Sequence, residues 1–200
     1  RDTITKILEV ATRSPSGMNT QPWEFTVLGG KVLDDLRQAL RAQVNAGVPT
    51  NSDFPRVVFT GVYRKRQIEV GVALYGLLGI AREDKEKRLQ WEMQIFGAFN
   101  APNLIIVSID EALKSSYQSL FSLGAVMQTI ALTALEFGLG TCLLAATTEY
   151  PDVVRQVTGI PASKKLACSV AIGYPDLDAP ANKLQTTREP VDNVTTWLGV

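Results

Sequence analysis

Three observations predict an α+β fold, a few short strands covered by several helices. Apolar residues recur at helical spacing in long segments, first Ile4, Ile7, Leu8 and Ala11, then Leu33, Leu36 and Leu40. Compact apolar runs of strand length, residues 104–109 and 166–172, lie further along. No internal repeat, low-complexity tract or domain boundary breaks the 200 residues, which suit a single domain, 1–200, with a real core.

The elements follow in order. Asp2 is a candidate N-cap for the first helix, which ends near Arg13 because Pro15 disfavours helical geometry at Ser14. Residues 25–28 read as a strand closed by Gly29 and Gly30, and Leu33, Leu36 and Leu40 mark the next helix. Pro49, Asn51 and Pro55 make 48–54 an irregular loop. Residues 57–80 are mainly helical in pattern despite Gly61, Gly71, Gly76 and Gly79, and the charged run 82–88 leads into a helix through Met93 and Phe96. After Pro102 comes the strand 104–109. Ser115 or Ser116 caps a long helix to about Phe137, buried through Leu120, Leu123, Met127, Ile130, Ala131 and Ala134. Residues 141–144 form a strand. Thr148 caps a helix with Pro151 just inside its start, covering Val153, Val154 and Val157. The run 166–172 alternates too little for a half-exposed strand, which predicts burial on both faces.

Composition excludes several classes. Hydrophobic residues make up 46% and charged residues 20%, with a formal net charge of zero, so no basic excess points to nucleic acid. No apolar run reaches the roughly 18–20 residues of a membrane span; the longest candidate, 68–81, is interrupted by Glu69 and by glycines. No secretory leader pattern opens the chain. Two cysteines, Cys142 and Cys168, make neither a disulfide framework nor a metal motif and sit in apolar strands. The expected compartment is cytoplasmic. The chain has no histidine, which removes Ser-His-Asp and Cys-His nucleophilic systems and the usual proton shuttle near neutrality. A bound cofactor is the natural carrier of any chemistry.

The most informative stretch is Ser14-Pro15-Ser16-Gly17-Met18-Asn19-Thr20-Gln21-Pro22-Trp23. It sets small, polar and backbone-permissive residues between a helix and a strand, where amides and short side chains can meet a flat polar ligand. Gly138-Leu139-Gly140 is no dinucleotide fingerprint, since it follows a helix and precedes a strand and lacks a third glycine. Gly138 instead suits a left-handed helix cap. Asp34-Asp35 and Glu83-Asp84 read as solvated helix faces, Arg64-Lys65-Arg66 as a surface cluster with a possible tie to an anionic ligand, and Trp91 and Phe96 as packing or substrate-channel residues.

The decamer resembles the signature of the FMN-dependent nitroreductase family. Leu123-Gly124, Gln128, Ala131 and Gly138-Leu139-Gly140, then Gly159-Ile160-Pro161, Ile172-Gly173-Tyr174-Pro175, Lys183 and Thr187-Arg188-Glu189-Pro190, continue the pattern in order. Tyr63-Arg64-Lys65-Arg66, Leu74-Tyr75, the run 79–84 and Phe99-Asn100-Ala101-Pro102 resemble the nitrobenzoate-reductase-like branch. The resemblance implies a central mixed or antiparallel sheet of about five strands flanked by helices, in an interlocked homodimer. It implies FMN as cofactor, NADH or NADPH as electron donor, and a ping-pong cycle in which hydride passes through flavin N5 to a small nitroaromatic or quinone acceptor. It assigns Pro15, Ser16, Gly17 and Asn19 to the flavin, with Gln128 and the backbone of Leu143, Leu144 and Ala145 near the isoalloxazine and Arg188 on the phosphate. Where Gly17 stands, relatives commonly carry serine. The family's opening Arg-x-Ser-x-Arg stretch has no counterpart; the expectation is that it precedes Arg1 in the full molecule, the alternative being that FMN is held more weakly. Another flavin reaction on the same fold, such as reductive dehalogenation, or flavin binding without turnover are the alternatives.

Overall fold

Residues 104–109 and 166–172 send apolar side chains in both directions, so neither segment can turn a face to water without exposing its core. The computed structural model describes residues 1–200. Its helices are α1 (Asp2–Ala11), α2 (Gly30–Asn45), α3 (Gly61–Leu77), α4 (Lys85–Phe96), α5 (Tyr117–Glu136), α6 (Pro151–Thr158) and the short α7 (Val191–Val194). Its strands are β1 (Trp23–Gly29), β2 (Asn103–Asp110), β3 (Gly140–Leu144) and β4 (Lys164–Gly173). The chain forms two units, Arg1–Val57 with Glu86–Pro175, and Val58–Lys85 with Asp176–Val200.

All four strands belong to the first unit, in one sheet of order β1-β2-β4-β3 with every pairing antiparallel. The α+β class stands, but the chain supplies four strands rather than about five, because nothing after β4 extends into a further one. Along β2, Leu104 and Ile106 enter one core, while Ile105, Val107 and Ile109 enter the other. The first core is completed by Leu33, Leu36 and Leu40 of α2 and Val154 of α6. The second is completed by Ile4, Ile7 and Ala11 of α1 and by Leu123, Val126, Ile130 and Ala134 of α5. Each fully buried aliphatic side chain contributes about 1.5–3 kcal/mol, so the double-sided sheet is the main source of stability. Between Val107 and Ser108 the β2–β4 ladder slips past Ala167, a bulge that turns Leu166 into the same core as Ala171.

The helix ends show which sequence signals hold. Ser116 caps α5, its Oγ accepting the Ser119 amide at 3.3 Å. At the other end Gly138 adopts φ +67°, with Gly138 N–H donating to Leu135 O and Leu139 N–H to Ala134 O, a Schellman closure. Two expected caps fail. Arg1 occupies the N-cap of α1 and Asp2 lies in its first turn, where its charge meets the helix dipole. Tyr150 precedes Pro151 at the start of α6, while the Thr148 hydroxyl donates to Ala145 O at 2.8 Å inside the turn Ala146–Thr148. The stripe of α5 also differs: Leu120 is exposed and Met127 and Ala131 are half-buried, and the buried face is Ser119, Ser122, Leu123, Val126, Ile130 and Ala134. By length and composition α5 could cross a membrane, its 20 residues including an 18-residue window of mean hydropathy 1.3, against the expectation that no run approaches this length. Its buried stripe on α1 and the sheet is that of a core helix.

Phe96 is core rather than channel, 4% exposed with its ring centroid 5.7 Å from that of Tyr150. The irregular loop 48–54 is firmly tied down. Asp53 Oδ2 accepts from Arg155 Nη2 at 2.5 Å and from the Leu166 amide at 2.8 Å, and Tyr150 Oη donates to Val48 O. In the second unit, α3 packs beside the turn Pro180–Lys183, and Arg66 pairs with Glu189 at 2.7 Å. Helix α3 buries none of its residues, although Val62, Tyr63, Ile68, Val70, Val72 and Leu77 are apolar and exposed.

Gly173 is required by space. A Cβ there would lie 2.5 Å from Pro102 Cδ, a rigid ring atom. Gly173→Ala is therefore expected to destabilise by about 1–3 kcal/mol, read as a lower urea midpoint with an unchanged slope.

The far end of the sheet carries a charge network with a defined pH response. Lys164 Nζ lies 2.5 Å from Glu24 and 3.3 Å from Asp110, and Lys165 Nζ lies 3.1 Å from Glu111. The Ala112 amide and Lys164 hold the Asp110 carboxyl below its ordinary value, Lys165 does the same for Glu111, and the Lys164 ammonium is raised by Glu24 and Asp110. The carboxylates thus contribute stability above the unfolded carboxyl range of about 4 and lose it as pH falls through their depressed values. The lysine's contribution persists until pH rises past about 10.4. Urea midpoints of the native protein should fall between neutral and acid pH, and Lys164→Met should flatten that acid limb.

Candidate functional site

After α1 stops, Pro15 keeps the chain extended and Ser16 follows at φ −143°, ψ 146°. The backbone then turns through Met18 (φ 52°), Asn19 (φ 57°) and Gln21 (φ 45°), three non-glycine residues in the left-handed region within four positions. Such residues are strained by of order 1 kcal/mol each, so the turn persists only because other bonds fix it. Asn19 N–H donates to Ser16 O and Thr20 N–H to Gly17 O, both at 3.0 Å. The Gln21 amide donates to Ser16 Oγ at 3.0 Å, and Gln21 Nε2 donates to Asn19 O at 3.3 Å. At its exit the turn is anchored by the buried Pro22 and Trp23. At its entry Ser14 Oγ hydrogen-bonds Thr129 Oγ1 of α5 at 2.7 Å. A Cβ at Gly17 would meet Gln118 of α5 at an ordinary 3.7 Å, so on that side a glycine is not sterically demanded.

Each residue singled out from the sequence has a clear place. Pro15, Gly17 and Asn19 are exposed and Ser16 is half-buried; the Asn19 and Gln128 carboxamides point from exposed residues. Helix α5 joins these groups, since the turn packs on it and β3 packs against it. Leu143 is 44% exposed, Leu144 sends its side chain into the first core, and Ala145 is exposed. The Ala145 carbonyl accepts from Thr148, whereas its amide has no backbone acceptor. These residues lie on open surface. Two grooves lie elsewhere, one along α2 beside Arg37, Arg41 and Asn100, the other between α1 and β1 beside Ile4, Leu8 and Val27. Arg188 belongs to the second unit, where it is exposed and its Nη1 donates to Thr186 Oγ1 and Thr187 O.

The bland readings hold for other motifs. Asp34 and Asp35 pair with Arg37 and Lys31 along α2. Arg64 bonds Gln67, Lys65 lies 3.8 Å from Glu69, and Arg66 pairs with Glu189. Burial pushes both the Cys142 and Cys168 thiols up, away from the reactive thiolate. No cluster of three or more His, Cys, Asp or Glu is arranged to hold a metal. Two sets of hydroxyls escaped sequence reading. Thr129 carried no signal, being one of many polar residues on a long helix. Ser169, a lone polar residue inside an apolar strand run, was a usable one.

Residues 1–174 match the model of the nitroreductase family, and the chain belongs to that family. It is 32% identical over 203 residues to a 4-nitrobenzoate reductase of Nocardioides sp. (strain LMS-CY), spanning 99% of this chain and 81% of that protein. The FMN and NADPH-dependent nitroreductase NfnB from Sphigopyxis sp. strain HMH superposes with a TM-score of 0.92 at 31% identity, covering 100% of this chain and 90% of that one. The FMN-dependent nitroreductase NfnB from Mycobacterium smegmatis, solved in complex with NADPH, gives a TM-score of 0.92 at 28% identity over 98% of this chain and 88% of its own. The α+β sheet described above is thus the nitroreductase fold.

Ser14 Oγ ties the start of the turn to α5, meeting Thr129 Oγ1 at 2.7 Å and the Ala125 carbonyl at 3.5 Å. Ser14→Ala is expected to cost about 1 kcal/mol and to speed amide hydrogen exchange at residues 16–21. Exchange at wild-type rates would show that Pro22 and Trp23 alone hold the turn.

Proposed function

We propose that this chain is an FMN-dependent NAD(P)H oxidoreductase that reduces nitroaromatic or quinone-type acceptors, working as a cytoplasmic homodimer in which residues 1–200 act as one FMN-binding domain. The observation that carries the reading is the left-handed turn at Met18, Asn19 and Gln21, strain concentrated in the segment that bears the family signature. The relatives named above, FMN- and NADPH-dependent nitroreductases and a 4-nitrobenzoate reductase, support the same chemistry.

The residues present fit FMN. A flat ring needs a surface without bulky side chains, and Pro15, Ser16 and Gly17 supply one. Its polar edge needs donors, and the Ala145 amide and the Asn19 and Gln128 carboxamides are free to serve. Its phosphate needs a fixed cation, for which the Arg188 guanidinium fork is suited. Bound FMN supplies two-electron redox chemistry, linking a reduced nicotinamide to an aromatic acceptor.

The chain's own residues position and stabilise. The Ser16 hydroxyl, held by the Gln21 amide, stiffens the turn, so its groups are aligned before any ligand arrives. Backbone amides at the end of β3 favour the electron-rich state of the site. None of the assigned residues in the turn, on α5 or at the end of β3 is an acid or base near neutrality, so product protons come from water. A second copy of the chain is the natural cover for an open site and for the unburied apolar residues of α3.

The test is anaerobic spectroscopy. Purified protein reconstituted with FMN should bleach on NADPH or NADH and recover its colour on adding a nitroaromatic. Bleaching without recovery would point to another flavin reaction, and no bleaching would remove the oxidoreductase reading. Ser16→Trp should retain no FMN while keeping the native circular dichroism spectrum, and Arg188→Ala should release FMN more readily in equilibrium dialysis. Full retention by both variants would place the cofactor elsewhere.

A further inference from the structure

Beneath the end of β3 lies a polar cluster that the fold alone does not explain. Thr147, Thr148 and Ser169 are each at most 1% exposed. Ser169 Oγ donates to Leu144 O at 3.1 Å. Because serine has one hydroxyl proton, the close contact between Thr147 Oγ1 and Ser169 Oγ must be made by the threonine proton. The order is therefore Thr147 O–H to Ser169 Oγ, then Ser169 O–H to Leu144 O. Beside it, Thr148 Oγ1 donates to Ala145 O at 2.8 Å.

Burying hydroxyls here is unfavourable unless every one is bonded, and alanine or valine would fill the same space among Leu144, Leu166 and Ala171. What the hydroxyls add is control of the turn. Leu144 pairs with Ser169 in the β3–β4 ladder, the Ser169 hydroxyl also donates to Leu144 O, and the turn then closes from Ala145 O to the Thr148 amide at 2.9 Å. The backbone at 144 and 145 is fixed from below through its carbonyls, and the Ala145 amide is left without a backbone partner.

We infer that Thr147 and Ser169 are positioning residues, a buried two-hydroxyl chain that sets the backbone of residues 143–145 for hydrogen bonding to the flavin. This rests on the reading that the flavin lies against those residues. The hydroxyls touch no ligand themselves; they act through the Leu144 carbonyl.

The experiment uses full-length protein and FMN, with Thr147→Val, which keeps the shape, Ser169→Ala, and Ser169→Thr, which restores the hydroxyl. Hydrogen exchange of the segment 142–148 is followed with and without FMN, together with the FMN dissociation constant and the visible spectrum of the bound flavin. In the wild type FMN should protect this segment. Thr147→Val and Ser169→Ala should raise the dissociation constant about fivefold to tenfold, weaken that protection and shift the flavin spectrum, and Ser169→Thr should recover most of the loss. If FMN leaves the wild-type segment unprotected, the flavin is not there, and both the placement and this inference fall. If the wild type is protected but Thr147→Val and Ser169→Ala match it in affinity, protection and spectrum, the placement stands and the positioning role is overturned. Should Ser169→Ala fold poorly, Thr147→Val alone decides.

Discussion

The antiparallel pairing of β2 with β4 is the constraint on which the rest depends. Both strands are buried on both faces, so helices must cover each side: α2 and α6 on one, α1 and α5 on the other. A sheet covered in this way has no free face on which to build a site. Function is driven to the strand ends and to the outer surface of the helices. The segment before β1 and the turn after β3 are such places, and α5 packs against the first and against β3 itself.

A chain without histidine has to do chemistry with what remains, and here that is mostly backbone. The turn at 16–21 is strained at three residues and stiffened by its own hydrogen bonds. The turn at 144–148 is shaped by hydroxyls on its buried side. In both cases side-chain hydrogen bonds decide where amides point. Preorganised donors of this kind need no rearrangement when charge develops, which is how a site with few titrating groups can support redox chemistry by a bound cofactor.

Much of this was legible in the sequence because the signals were local. Ser116 and Gly138 bracket α5 as capping chemistry requires, and the lack of alternation in 166–172 foretold a strand buried on both sides. Expectations failed where a tertiary partner outbid a local preference. Thr148 looked like a helix cap, but Tyr150 takes that position and the Thr148 hydroxyl donates to Ala145 O inside the preceding turn. Phe96 read equally as packing or as a channel residue, and it packs on Tyr150, a residue 54 positions away that no local pattern could pair with it. The strained angles of Met18 and Gln21 were hidden for a similar reason. Neither residue type favours the left-handed region, so only the signature as a whole marked the segment.

The proposed function turns on the 16–21 turn and the end of β3 forming two sides of one flavin site. A crystal structure of the protein grown with FMN tests it most directly. The isoalloxazine ring is expected in contact with Ser16 and Gly17 and within hydrogen-bonding distance of the backbone at residues 143–145. Flavin seated instead in the groove along α2 beside Arg37 and Arg41, or between α1 and β1, would contradict it.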